Sequence, residues 1–135
     1  MTPKEAVERL NFVLAHLWMI RNFLKHADEV QEDEEMLDVH RLLYDSIRAV
    51  EPAHQRGDTA EYLRRLKGKL GKLRRSAEFF AREFKRASPH TNFEMASLSY
   101  SGAVKQMEEI FVAIAEDLSA KSEASDGAAS IQANG

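Results

Sequence analysis

The side chains best suited to chemistry in this 135-residue chain are five histidines, a scatter of carboxylates and one dense run of basic residues; there is no cysteine. Without Cys, thiolate nucleophiles, disulfide frameworks and Cys-based zinc or iron–sulfur sites are excluded. Histidine and carboxylate together are the usual ligands of metal centres built inside helical bundles. On a helical wheel, His16 lies within the apolar arc of a first helix and His26 at its edge. His40 flanks the apolar seam of a second helix on the side of Tyr44 and Glu51, and His54 continues that seam beyond Pro52. If these two helices pair around a turn near Glu32, residues whose numbers sum to about 64 lie level, given a rise of ~1.5 Å per residue. His26 then faces His40, and His16 approaches the level of Glu51. A transition-metal site would draw on His16, His26, His40, Glu51 and His54.

The spacing rules of known metal bundles weigh against that site. Ferritin-like centres need Glu-x-x-His on each of two helices, and the single match here, Glu51-Pro52-Ala53-His54, contains a proline. Hemerythrin-like centres need His-x-x-x-His or His-x-x-x-Glu pairs, and the one instance, His90 with Glu94, sits at a helix start. The histidines read better as core-edge groups bonded to Tyr44, Glu51 or backbone carbonyls.

The second constellation is electrostatic. Residues 1–57 hold 7 basic and 11 acidic groups, residues 58–88 hold 10 and 4, and residues 89–135 hold 2 and 7, so a net charge of −3 conceals segments of −4, +6 and −5. On the third helix Arg64, Arg65, Lys72, Arg75, Arg82 and Arg86 face away from the leucine seam, with Phe79 among them. Such a face would bind an anion, whether RNA, DNA or an acidic protein, with Phe79 as a stacking group. The favoured reading is a solvated face offset by the acidic start of the second helix and the acidic end of the fourth, because basic helix faces in bundles are usually matched by acidic neighbours and no nucleic-acid fold signature is present.

Catalytic motifs are absent. Ser97, Ser99 and Ser101 fall on a helix rather than at a strained nucleophile turn, and Lys67-Gly68-Lys69-Leu70-Gly71-Lys72 lacks the spacing and preceding strand of a phosphate loop. Trp18, on the polar side of the first helix, reads as a ring overhanging neighbouring core.

The elements that must position these residues are helices. Thr2, Pro3 and Glu5 form a capping box with a first-turn proline, and the apolar residues that follow cover an arc of roughly 200° at ~100° per residue, from Val7, Leu10 and Val13 round to Phe12, Met19 and Phe23. A helix this broadly apolar is buried on two sides or forms a subunit interface. A second helix carries Met36, Val39, Leu43, Ile47 and Val50 and stops or kinks at Pro52. The third opens with Asp58 and Glu61 and runs through Leu63, Leu66, Leu70, Leu73, Ala77, Phe80 and Phe84; Gly68 and Gly71 invite an irregularity. The fourth restarts at Thr91 with Glu94 and carries Phe93, Tyr100, Val104, Met107, Phe111, Ile114 and Leu118.

Short connections favour antiparallel neighbours, so the expected fold is an all-α, up-down-up-down four-helix bundle over residues 1–119, with helices near 3–30, 33–51, 59–87 and 91–119. Residues 120–135, rich in Ala, Ser and Gly, are expected to be a disordered tail. No secretory signal is visible, and the longest apolar stretch, 12–20, is far short of the ~20 residues of a membrane span, so a cytoplasmic location is expected. The function these features favour is that of a protein-interaction or assembly module, homodimeric through the wide arc of the first helix. Metal binding and anion or nucleic-acid binding are the two alternatives.

Overall fold

The computed structural model describes the backbone of residues 1–134 and the side chains of residues 1–120. It contains four long helices, α1 (Pro3–His26), α3 (Glu34–Gln55), α4 (Thr59–Ala87) and α5 (Thr91–Asn134), and a short connecting helix, α2 (Asp28–Gln31). Each long helix packs on two neighbours in the ring order α1, α3, α4, α5, and α1 also touches α4 across the diagonal. This is the expected antiparallel four-helix bundle.

Side-chain caps fix three of the starts. The Thr2 hydroxyl accepts from the Glu5 backbone N–H at 3.1 Å, Asp33 accepts from Glu35 and Met36 at 3.1 and 3.2 Å, and Asp58 accepts from Glu61 at 3.1 Å. The fourth start differs from the expectation. Ser88 accepts from the His90 N–H at 3.1 Å, and the His90 ring Nδ1 accepts from Asn92 at 3.0 Å, so the cap of α5 is an imidazole rather than Thr91. That bond places the ring proton on Nε2.

The first helix is four residues shorter than its apolar pattern suggests, ending at His26 with Ala27 extended (φ −80°, ψ 122°). At ~100° per residue Val30 would continue the outer flank of Phe12 and Met19. The break turns Val30 inward instead, where it is fully buried. Pro52 likewise does not end its helix. α3 continues to Gln55, and Gly57 alone takes a left-handed φ of +70°, with the Asp58 N–H closing on the Ala53 carbonyl at 2.9 Å. Nor do Gly68 and Gly71 interrupt α4.

The core is one continuous cluster drawn from all five helices. Leu10, Leu17 and Leu24 of α1, Leu43 of α3, Leu66 and Leu73 of α4 and Met107 of α5 are completely shielded from solvent. Tyr62 and Tyr100 are shielded with them, and burial raises both phenol pKa values above the usual range. Leu63, Leu70 and Phe111 are only partly buried. Leu118, expected in the seam, is 55% exposed because the buried stripe of α5 ends at Ile114 among the described side chains. The backbone of α5 is helical beyond the bundle boundary expected at 119, and the tail expected over 120–135 falls beyond the described side chains except at Ala120.

Pro52 is exposed, and its missing N–H deprives the Arg48 carbonyl of its helical donor. Replacing it with Ala restores the helical bond and removes the ring clash. Pro52→Ala is expected to stabilise the fold by about 1–3 kcal/mol, read as a higher denaturation midpoint. A lower midpoint would show that the ring is needed to shape the turn at Gly57.

Candidate functional site

The α1–α3 register is close to the one expected from sequence: the rings of Trp18 and Tyr44 meet at 6.1 Å. The five proposed metal ligands nonetheless do not converge. His16 and His26 are exposed, and His26 Nδ1 bonds back to the Asn22 carbonyl of its own helix at 2.8 Å. Glu51 accepts from Arg48 at 2.5 Å and from Gln55 at 3.4 Å. His54 lies against the ring of Tyr62, 5.9 Å between centroids, and is itself exposed. Among the described residues no three His, Asp or Glu side chains come together as a metal-binding group. The level of His16 and His26 was legible; their direction was not, because an apolar arc as wide as that of α1 has an outer flank as well as a buried centre.

Of the four histidines in the set, His40 is half-buried and the other three are exposed. Its Nε2 is enclosed without a hydrogen-bond partner among the described residues. Its pKa lies below the ordinary histidine value, first because of burial and then because of the charges of Arg21, Arg41 and Lys25. The ring is therefore held neutral in a basic neighbourhood.

Beside it lies a cluster that sequence reasoning missed. The guanidinium of Arg21 sits 5.0 Å from the Trp18 ring and 4.7 Å from the Tyr44 ring, and that of Arg48 sits 5.7 and 5.3 Å from the same two rings. Two cations thus cover one aromatic pair between α1 and α3, and Glu51 fixes Arg48 in place. The spacing held the signal: Trp18 and Arg21 are three apart, and Tyr44 and Arg48 four apart, so each ring has an arginine on its own helix face.

On α4 the basic face divides into paired and unpaired members. Arg64 and Arg65 share Glu61, at 2.7 and 2.6 Å, and Arg64 followed by Arg65 holds the Glu61 carboxyl down at about 2. Arg74, at the edge of the seam, reaches Glu108 of α5 at 3.7 Å, while Arg86 reaches Asp33 at 3.4 Å and Glu35 at 3.5 Å. Lys72, Arg75 and Arg82 have no ion pair among the described residues. Phe79 is half-buried against the core rather than displayed as a free stacking ring. Acidic groups from three helices therefore offset much of the face.

The apolar surface has a marked asymmetry. Among the described residues the exposed large hydrophobic side chains are Phe12 (73%), Met19 (67%), Met95 (51%), Leu98 (61%), Val112 (56%) and Leu118 (55%), all on α1 or α5. Two clefts follow the seam between these helices. One, of about 460 Å³, is lined by Arg9, Phe12, His16, Glu109 and Ala113 among others; the next, of about 330 Å³, is lined by His16, Met19, Phe23, Asn92 and Met95 among others. His16 borders both. Of the serines on α5, Ser97 is buried in the packing and Ser99 and Ser101 are exposed.

No family model, no curated protein and no solved structure matches the chain. The geometry alone describes a small all-helical domain in which no catalytic chemistry is evident and, among the described residues, no helix is long and apolar enough to cross a membrane.

The His40 environment makes stability pH-dependent. Because burial and three cations lower its pKa in the folded chain, the unfolded chain takes up the proton first. This contribution is intact above the ordinary value of 6.5 and is lost as pH falls through it toward the lowered folded value. Denaturation midpoints should fall between neutral pH and about pH 5 in the wild type and fall less in His40→Gln. Equal losses in the two proteins would place the acid sensitivity elsewhere.

Proposed function

We propose that this chain is an assembly module that pairs with a second copy of itself through the α1/α5 face. The observation that supports the reading is that, among the described residues, the exposed large hydrophobic side chains all lie on these two helices and three of them, Phe12, Met19 and Met95, line the clefts between the helices, while α3 and α4 present charge. Single exposed hydrophobics are ordinary on a soluble surface; three that line adjoining clefts between the same two helices mark an interaction surface.

A second copy suits the face because the face complements itself. Arg9 on α1 and Glu109 on α5 line the same cleft and form no ion pair with each other. Rotation about a two-fold axis parallel to the helices sets α1 of one copy against α5 of the other, so Arg9 meets the Glu109 of the second copy. The protruding Phe12 and Met19 then enter clefts already lined by apolar side chains. The breadth of the apolar arc, too wide for one buried stripe, is explained by this second use.

Sedimentation velocity over a range of concentrations is expected to show a reversible dimer. Phe12→Glu combined with Met19→Glu should remain helical and sediment as a monomer, since both positions are exposed in the single chain. A wild-type monomer at every concentration would overturn the reading.

A further inference from the structure

The face opposite α1/α5 is built differently. On α4, Lys72, Arg75, Phe79, Arg82 and Arg86 recur at alternating spacings of three and four and form a basic stripe interrupted by one aromatic ring. On α3, Glu35, Asp38, Leu42 and Asp45 recur in the same way and form an acidic stripe interrupted by one leucine. The two stripes border a groove of about 390 Å³. Glu35 and Asp38 stand on one wall and Lys72 and Arg75 on the other, with Val39, Leu42 and Phe79 below.

Acidic and basic side chains that border one groove usually bridge it, and here only Arg86 does; its pairing sets Glu35 and Asp38 level with residues near 85 and 82, so Lys72 and Arg75 stand further along the groove. Arg86 spans to Asp33 and Glu35, whereas Asp38 is paired with Arg41 of its own helix at 3.5 Å. Lys72 and Arg75 reach no carboxylate among the described residues. Arg75 is turned back along α4, its Nη1 lying at ordinary contact distance, 3.4 Å, from where a Cβ on Gly71 would stand. The apolar floor is consequently open between an acidic and a basic rim.

We infer that this groove receives one amphipathic helix of a partner protein, carrying acidic side chains along one flank of its apolar stripe and basic side chains along the other. A helix with its side chains is ~10–12 Å across and is convex, which suits a trough between two parallel helices. Its apolar stripe covers Leu42 and Phe79, its acidic flank meets Lys72 and Arg75, and its basic flank meets Glu35 and Asp38. This is the charge arrangement by which flanking positions select partners in coiled coils. A second copy fits this face poorly, because two concave grooves placed mouth to mouth enclose a void. RNA or DNA would meet the acidic wall as well as the basic one.

The test uses three synthetic three-heptad helical peptides with one leucine stripe, differing only in their flanks: Glu on one side and Lys on the other, Glu on both, or Lys on both. Binding to the full chain is read by fluorescence anisotropy of labelled peptide. The mixed-flank peptide is expected to bind at least tenfold more tightly than either control, and more weakly as salt rises. In Lys72→Glu combined with Arg75→Glu both walls become acidic, and preference should move to the all-Lys peptide. That reversal cannot come from unfolding. Equal binding of the three peptides, no binding of the mixed-flank peptide, or a change in the sedimentation of the chain alone on charge reversal would each overturn the proposal.

Discussion

Burial of the central stripe of α1 is the constraint from which the rest of the molecule follows. Leu10, Leu17 and Leu24, seven residues apart, are wholly shielded, and α1 is packed against α3 and α5 and touches α4. A fully buried leucine side chain contributes roughly 1.5–3 kcal/mol, so this stripe sets the rotation of the helix. Once that rotation is set, Trp18 and Arg21 must fall toward α3, and Phe12, Met19 and Phe23 must fall along α5. The same constraint accounts for the break at Ala27: without it, Val30 would lie on the exposed flank rather than in the core.

The surface is organised by face. Ion pairs within and between helices neutralise much of the charge on α4, and most are exposed enough to add little to stability. Their importance lies in what they leave uncovered. Glu61 engages Arg64 and Arg65 at one end of α4, and Asp33 and Glu35 engage Arg86 at the other, so Lys72 and Arg75 stand unpaired along the middle. On the α1/α3 seam the guanidinium groups of Arg21 and Arg48 lie over the tilted ring pair of Trp18 and Tyr44, and the α1/α5 seam leaves Phe12, Met19 and Met95 in the open.

Much of the fold was legible because local chemistry and tertiary packing agree. Capping boxes at Thr2 and Asp58 mark two helix starts, and the three-and-four spacing of apolar residues marks the buried faces. Legibility failed where tertiary structure overrode a local preference. Pro52 is accommodated on an exposed face, the α1–α2 break occurs without Gly or Pro, and His90 replaces Thr91 as a cap. Tyr62 was missed as a core residue because the seam was started one position late at Leu63, which is only partly buried, although Tyr62 precedes Leu66 by four residues and shares the angular position of Phe80. The candidate metal set failed on direction rather than level, since periodicity gives the height of His16 and His26 on the bundle but not which flank of a wide arc turns outward. Burial of Phe79 and the acidic partners of the basic helix could not be found without knowing which helix stands beside which.

The central claim, that the α1/α5 face is covered by a second copy, is tested most directly by hydroxyl-radical footprinting of the methionines as a function of protein concentration. Met19 and Met95 line the same cleft and are exposed in the single chain, whereas Met36 and Met107 are buried in the core and serve as internal references. Oxidation of Met19 and Met95 should be rapid in dilute solution and suppressed in concentrated solution, while Met36 and Met107 stay unreactive throughout. Met19 and Met95 remaining equally reactive at every concentration would contradict the account.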